Sequence, residues 1–340
     1  MNNLQLLWFF LIGVLFSGYF FLEGFDYGVG MSMHTLAKNE KERDQLVATI
    51  GPVWDGNEVW LITAGGAMFA SFPFWYASLF SGYYLLLFTI LFGLIIRGVS
   101  FEFRHKVEPS KKNFWNWTLT IGSFIVPFFF GIIFISMIQG MPLDANGNMT
   151  AHFTDYFNIF SIVGGVALTL LCYLHGLNYI ALKTDGPIRH RARDYAKVLY
   201  YVLYAGLVVF AILLYLQTDF FKLHFATTLA LVVLIVLLTV FANISVLKGK
   251  ELAAFLASGL TLVSLVALLF TGLFPRVMIS SISSKFDLLI KNASSTPYTL
   301  KIMSIVAITL LPFVLAYFAW TYYIFRKRVT ADVAGMKNDR

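Results

Sequence analysis

One cysteine, Cys172, serves the whole chain, which rules out an internal disulfide and any multi-cysteine metal or iron–sulfur site. Charge is scarce as well: Asp, Glu, Lys and Arg supply 13% of the 340 residues, against 59% that are hydrophobic. Soluble domains carry about 25% charged residues, so an ordinary soluble enzyme is excluded. The net charge of +7 does not signal nucleic acid, because the basic residues are spread over alternate connections and form no single patch. The two longer polar connections, 140–157 and 275–301, hold turn residues and serines but no phosphate loop, zinc pattern or nucleophile constellation.

What the chain does have is long apolar runs. Crossing lipid as a helix takes about 20 apolar residues. Nine such runs occur, at about 7–31, 53–72, 77–97, 117–139, 157–182, 198–216, 225–247, 252–274 and 302–325. They predict an all-α polytopic membrane protein with nine transmembrane helices. No basic segment precedes the first run, and Glu23 and Asp26 stand where a cleavage site is expected. It therefore reads as a retained helix and not as a signal peptide.

The basic residues orient the helices. Segments 32–52, 98–116, 183–197, 248–251 and the tail after Phe325 hold nineteen of the 25 Lys and Arg. The other connections hold Lys222, Arg276, Lys285, Lys291 and Lys301, and Arg97 stands at a helix end. Under the positive-inside rule the N-terminus is outside and the C-terminus cytoplasmic.

A faint repeat divides the chain. The first helix ends in LEGFDYG (22–28) and the fifth contains LHGLNYI (174–180), both running from outside to inside. The expectation is two four-helix bundles, helices 1–4 and 5–8, plus a peripheral ninth helix, related about an axis along the membrane normal. The corresponding units are 1–140, 141–275 and 276–340. The first carries the intramembrane charge; helices 6 to 9 have almost none.

That charge is the candidate site. Glu23 and Asp26 are three apart on one helix, and Asp55 and Glu58 three apart on the next, so each pair shares a face. Trp54 and Asn57 lie on an adjacent stripe, and Arg97 closes the third run. Pro52 fits a first helical position, and Asp55 fits a first-turn acid worth about 0.3–1 kcal/mol against the helix dipole. Glu23 has no such explanation, since a charge deep in a span costs up to about 3 kcal/mol. Acids at that depth face the bundle interior and serve ion or proton routes. Four acids beside one base in a low-dielectric layer cannot all stay ionised, which suits them to passing protons.

Other residues have plainer readings. His175 is the one histidine inside a run, and a lone intramembrane His is more often a hydrogen-bonding residue than an axial haem ligand. Trp8, Trp75, Trp115, Trp117 and Trp320 read as interfacial belt residues. Ala64-Gly65-Gly66-Ala67 reads as a close-packing face.

EGFDYGVGM (23–31), GPVWDGNEVWLITAGGAMFA (51–70) and LFSGYYLLLFTILFGLIIRGVSFEFR (79–104) closely resemble subunit II of cytochrome bd-type quinol oxidases. WNWTLTIGSFIVPFFFGIIF (115–134) and LFP (273–275) extend the likeness over the whole chain. The resemblance implies a two-subunit terminal oxidase in the bacterial plasma membrane that oxidises menaquinol or ubiquinol and reduces dioxygen to water. Two b-type haems and haem d belong to the partner, subunit I, met about a pseudo-two-fold axis; this chain ligates none. Membrane lipids and quinones are further partners, and a small single-helix accessory subunit has a place in such complexes. Asp55 matches the family's acid on a proton route from the cytoplasm, and Trp54, Asp26 and Arg97 match characteristic polar positions. Glu58 stands where Gln also occurs. The residues alone leave two alternatives, a proton-coupled secondary transporter and a purely structural subunit.

Overall fold

The structure, a computed structural model, describes residues 1–330. The tail residues Lys337 and Arg340 lie outside the described residues. The first half of the chain forms α1 (Asn3–Thr35), α2 (Glu40–Ile50), α3 (Trp54–Ser71), α4 (Pro73–Gly82), α5 (Tyr84–Arg104) and α6 (Lys112–Gln139). Then come α7 (Phe153–Tyr156), α8 (Ile159–Lys183), α9 (Pro187–Gln217), α10 (Phe220–Leu223) and α11 (Phe225–Leu247). α12 (Glu251–Leu273), α13 (Ile290–Ala293) and α14 (Pro297–Ile324) complete the described helices. Strands β1 (Arg276–Met278) and β2 (Leu288–Leu289) pair in the connection before α13.

Among the described residues, eight helices are long and apolar enough to cross a membrane: α1, α5, α6, α8, α9, α11, α12 and α14. α3, which covers the run expected at 53–72, is not one of them. It has 18 residues and spends three early positions on Asp55, Asn57 and Glu58. Helices suit such an interior because they satisfy their own backbone groups. Pro127 and Pro312 are accommodated inside α6 and α14.

Side-chain bonds gather alternate connections at opposite ends of the bundle. At one end, Arg104 pairs with Asp44 at 2.5 Å, Arg191 with Glu42 at 2.5 Å and Arg189 with Glu251 at 2.6 Å. At the other, Ser295 Oγ donates to Ala70 O at 2.6 Å, Tyr156 to Gly82 O at 2.5 Å and His224 Nε2 to Phe274 O at 2.7 Å. The first end carries most of the lysines and arginines and is called the basic end below.

α1 and α8 cross at the centre. A Cβ on Gly28 would lie 2.5 Å from Gly176 Cα, so the two backbones touch where neither residue carries a side chain. Around this crossing, contacts come in matched sets: α1–α3 with α8–α9, α5–α6 with α11–α12, and α1–α6 with α8–α12.

Three expectations are corrected. The Ala64–Ala67 stretch is not a close-packing face within this chain: added Cβ atoms on Gly65 and Gly66 meet nothing within 4 Å, because that face of α3 opens onto apolar cavities. Trp8 and Trp75 are 6% and 2% exposed and belong to the core instead of an interfacial belt. Arg97 lies seven residues before the end of α5, not at the helix end, because the helix runs on to Arg104, which is held by Asp44, Glu40 and Asn116.

Candidate functional site

The charged residues of α1, α3 and α5 meet in the protein interior. Glu23 lies twelve residues before Thr35, about 18 Å along α1 at 1.5 Å per residue. It forms an ion pair with Arg97 in which both side chains have no exposure. The Arg97 guanidinium also donates to Glu58 Oε1 at 2.7 Å. Its carbon lies 4.9 Å from the centre of the Tyr27 ring and 5.4 Å from that of Phe101. Trp54 stacks on Phe101 at 4.7 Å. The one base is thus held between two carboxylates and two aromatic faces, a setting that suits a planar guanidinium better than an ammonium.

Asp26, one turn below Glu23, has its own partner. Asn57 Nδ2 donates to Asp26 Oδ2 at 2.8 Å and lies 3.4 Å from the Leu22 carbonyl. Asn57 Oδ1 in turn accepts from the Tyr322 hydroxyl of α14 at 2.7 Å. Deeper still, the Tyr19 and Tyr27 hydroxyls hydrogen-bond each other. Arg97 Nε and Nη2 are buried without a hydrogen-bond partner among the described residues, and the Glu23 and Asp26 carboxyl groups lie within hydrogen-bond reach of each other. Native interiors rarely tolerate such atoms, so the cluster reads as a polar site and not as completed packing.

Exposure falls in steps through the acids. Asp55 is exposed on the outer face of α3 and makes no hydrogen bond or ion pair with a described residue. The Glu58 side chain is 21% exposed, and those of Glu23 and Arg97 are at zero. The structure therefore brings together Glu23, Asp26, Asn57, Glu58 and Arg97, with Trp54 at the edge through Phe101, and leaves Asp55 outside that contact set. α2 closes the basic end beneath, with Leu46, Val47 and Ile50 buried. Tyr322, Tyr19 and Tyr27 were missed in the sequence: a tyrosine in an apolar run looks like any other aromatic until its hydroxyl finds a partner.

His175 does not fit iron ligation. Its Nε2 donates to the Phe21 carbonyl at 2.9 Å, its Nδ1 faces Ser258 Oγ at 2.8 Å, and its ring stacks on Phe255 at 4.7 Å. Both nitrogens are committed within the protein. Among the described residues no group of three or more His, Cys, Asp or Glu could hold a metal ion.

Comparisons with known proteins give the family. The family description "Cytochrome bd terminal oxidase subunit II" matches residues 4–325. The chain is 49% identical over 331 residues to cytochrome bd ubiquinol oxidase subunit 2 of Bacillus subtilis, covering 97% of this chain and 98% of that one. It is 32% identical over 363 residues to cytochrome bd-I ubiquinol oxidase subunit 2 of Escherichia coli K12, covering 97% and 96%. A chain of the bd oxidase structure from Geobacillus thermodenitrificans shares the fold with a TM-score of 0.74 at 14% identity, over 95% of this chain and 99% of that chain. This multi-pass membrane protein belongs to the cytochrome bd terminal oxidase subunit II family.

Proposed function

We propose that the chain is the non-haem-ligating subunit of a quinol:dioxygen oxidoreductase, paired with a haem-bearing subunit I in a bacterial plasma membrane. In this reading the partner holds two b-type haems and haem d, the substrate is menaquinol or ubiquinol, and this chain stabilises the partner and supplies a proton-uptake route. The relatives named as ubiquinol oxidase subunit 2 support the complex. Nine crossings, with α3 as the short one, are supported by the alternation of bonded connections between the two ends. The positive-inside rule then puts the basic end, with the C-terminus, in the cytoplasm. The matched helix contacts support bundles at 1–140 and 141–275, with 276–340 as the outer connection, ninth helix and tail.

The proton route rests on one observation, the stepwise loss of exposure from Asp55 through Glu58 to the buried Glu23–Arg97 pair. Dioxygen reduction consumes protons, and acids spaced in this way link a protein surface to a desolvated interior where water is excluded. With α2 covering the basic end, uptake runs sideways along α3. Asp26 and Asn57 form the adjacent branch.

The test is turnover in the purified two-subunit complex. Asp55→Asn and Glu58→Gln lower quinol oxidase turnover on the order of a hundredfold, at the lower edge of what a lost proton-transfer group costs, with haem content intact. Full activity in both variants would dismiss the route. A purely structural reading is favoured by the way Arg97 ties α1, α3 and α5 together; it predicts that Asp55→Asn has no effect, because Asp55 makes no such tie.

A further inference from the structure

α14 is the least buried of the long helices, with only Leu300 and Ser304 fully buried along its 28 residues. Polar contacts from Trp8, which also reaches the Leu300 carbonyl at 3.2 Å, and from Asn57 hold it near its two ends. Near its start the Trp8 indole N–H donates to Ser304 Oγ at 3.0 Å. Near its end the Tyr322 hydroxyl donates to Asn57 Oδ1 at 2.7 Å. Between them lies an apolar groove of about 710 Å³, lined by residues such as Leu11, Val59, Met303 and Leu310. Within α14, Tyr322 is the polar contact at the basic end of this greasy seam; the residues just after the helix are held separately by Lys183, whose Nζ donates to Lys327 O at 3.1 Å.

The tether reaches a carboxylate. An amide side chain has one accepting end and one donating end, so fixing one end fixes the other. With Oδ1 held by Tyr322, Asn57 Nδ2 points at Asp26 Oδ2 and at the Leu22 carbonyl, both of which accept. Without the Tyr322 hydroxyl, only the long 3.4 Å contact of Nδ2 with the Leu22 carbonyl opposes a turn of the amide that presents its own carbonyl to Asp26, an arrangement that needs a proton on the carboxyl. Asp26 already shares its surroundings with Glu23, Glu58 and Arg97, so the orientation of one neutral neighbour shifts the balance among them.

We propose that Tyr322 is a positioning residue: by clamping Asn57 Oδ1 it keeps the Asn57 amide donating to Asp26, and so ties the proton occupancy of Asp26 to the docking of α14. The proposal rests on the proton-route reading and adds to it a dependence on the ninth helix. Nothing in the reaction requires Tyr322 to pass a proton itself.

The experiment uses the whole complex, reconstituted in vesicles, with turnover and infrared difference spectra as readouts. Tyr322→Phe keeps the ring and removes the hydroxyl. The expected result is a shifted carboxyl C=O band, the same band that Asp26→Asn abolishes, and turnover lowered about two- to tenfold, the worth of one hydrogen bond. In an Asn57→Leu background the same change costs nothing more, because its partner is gone. Tyr298→Phe, exposed at the far end of α14, leaves both readouts unchanged. An unmoved band in Tyr322→Phe overturns the proposal, whether or not thermal stability falls. Full turnover in Asp26→Asn would instead strike the proton branch itself, so the two failures are distinguishable.

Discussion

Arg97 and Glu23 form an ion pair in which neither side chain reaches solvent. Desolvating two charges is expensive, and the pair is worthwhile only while both members are present. Glu58 and Asp26 crowd the same space, so Arg97 is the one positive charge offsetting three acids.

Arg97→Met should therefore destabilise the chain by about 3–5 kcal/mol, the usual result of stranding a buried partner. Adding Glu23→Gln should recover much of the loss. Thermal unfolding of the complex in detergent checks both, and an Arg97→Met protein as stable as the parent would contradict the ion-pair account.

The α1–α8 crossing makes a prediction about size. Gly28→Ala places a carbon 2.4 Å from the Cys172 carbonyl, so the helices must separate, at a cost of about 1–3 kcal/mol. Gly65→Ala meets nothing within 4 Å and should change stability by less than about 0.5 kcal/mol. Comparing the two melting temperatures decides whether backbone contact or mere glycine content matters.

Acid should loosen α2 first. Burial pushes the Glu42 carboxyl up, but the Arg191 guanidinium and the Lys38 backbone N–H outweigh it and hold the group below the ordinary glutamate value. A carboxylate depressed on folding contributes stability that is full above the unfolded value, about 4.3, and is lost as pH falls through the folded one. Amide exchange in residues 40–50 should thus accelerate below about pH 4, and Arg191→Ala should weaken that pH dependence without abolishing it, because the Lys38 N–H still holds Glu42 and Arg43 and Asn116 still hold Glu40 down.

His175→Leu should leave the haem content of the complex unchanged while lowering its melting temperature. The substitution removes the His175 hydrogen bonds to the Phe21 carbonyl and Ser258 Oγ, each worth about 0.5–1.5 kcal/mol net. Loss of one haem per complex would show instead that His175 binds iron.

Much of the site was legible because the residues that form it are anomalous where they stand. Glu23, Asp26, Asn57, Glu58 and Arg97 interrupt apolar runs, and a charge in lipid must find a partner. Asp55 was legible by the same rule, yet it stays exposed in the first turn of α3, while Glu58, one turn further along, reaches Arg97. Tyr322 and the Tyr19–Tyr27 pair carried no signal, as their roles depend on contacts across the bundle. The Ala64–Ala67 stretch and Trp8 misled for a shared reason: composition tells which residue a helix face carries, not what stands opposite it. Arg97 was placed too near a helix end because the run was closed at the first charge, whereas buried partners carry α5 onward to Arg104.

The last described segment fastens the basic end. Val329 N donates to Lys183 O at 2.8 Å, Gln45 Nε2 to Val329 O at 2.7 Å, and Arg328 pairs with Glu251 at 2.6 Å. Synthesis proceeds from the N-terminus, so α2, α8 and α12 are all made before the residues that clasp them together. Closure of this face is accordingly a late event in biogenesis. A polypeptide halted before Lys327 would carry every described span and keep the Arg104, Arg189 and Arg191 pairs, yet lack this final clasp.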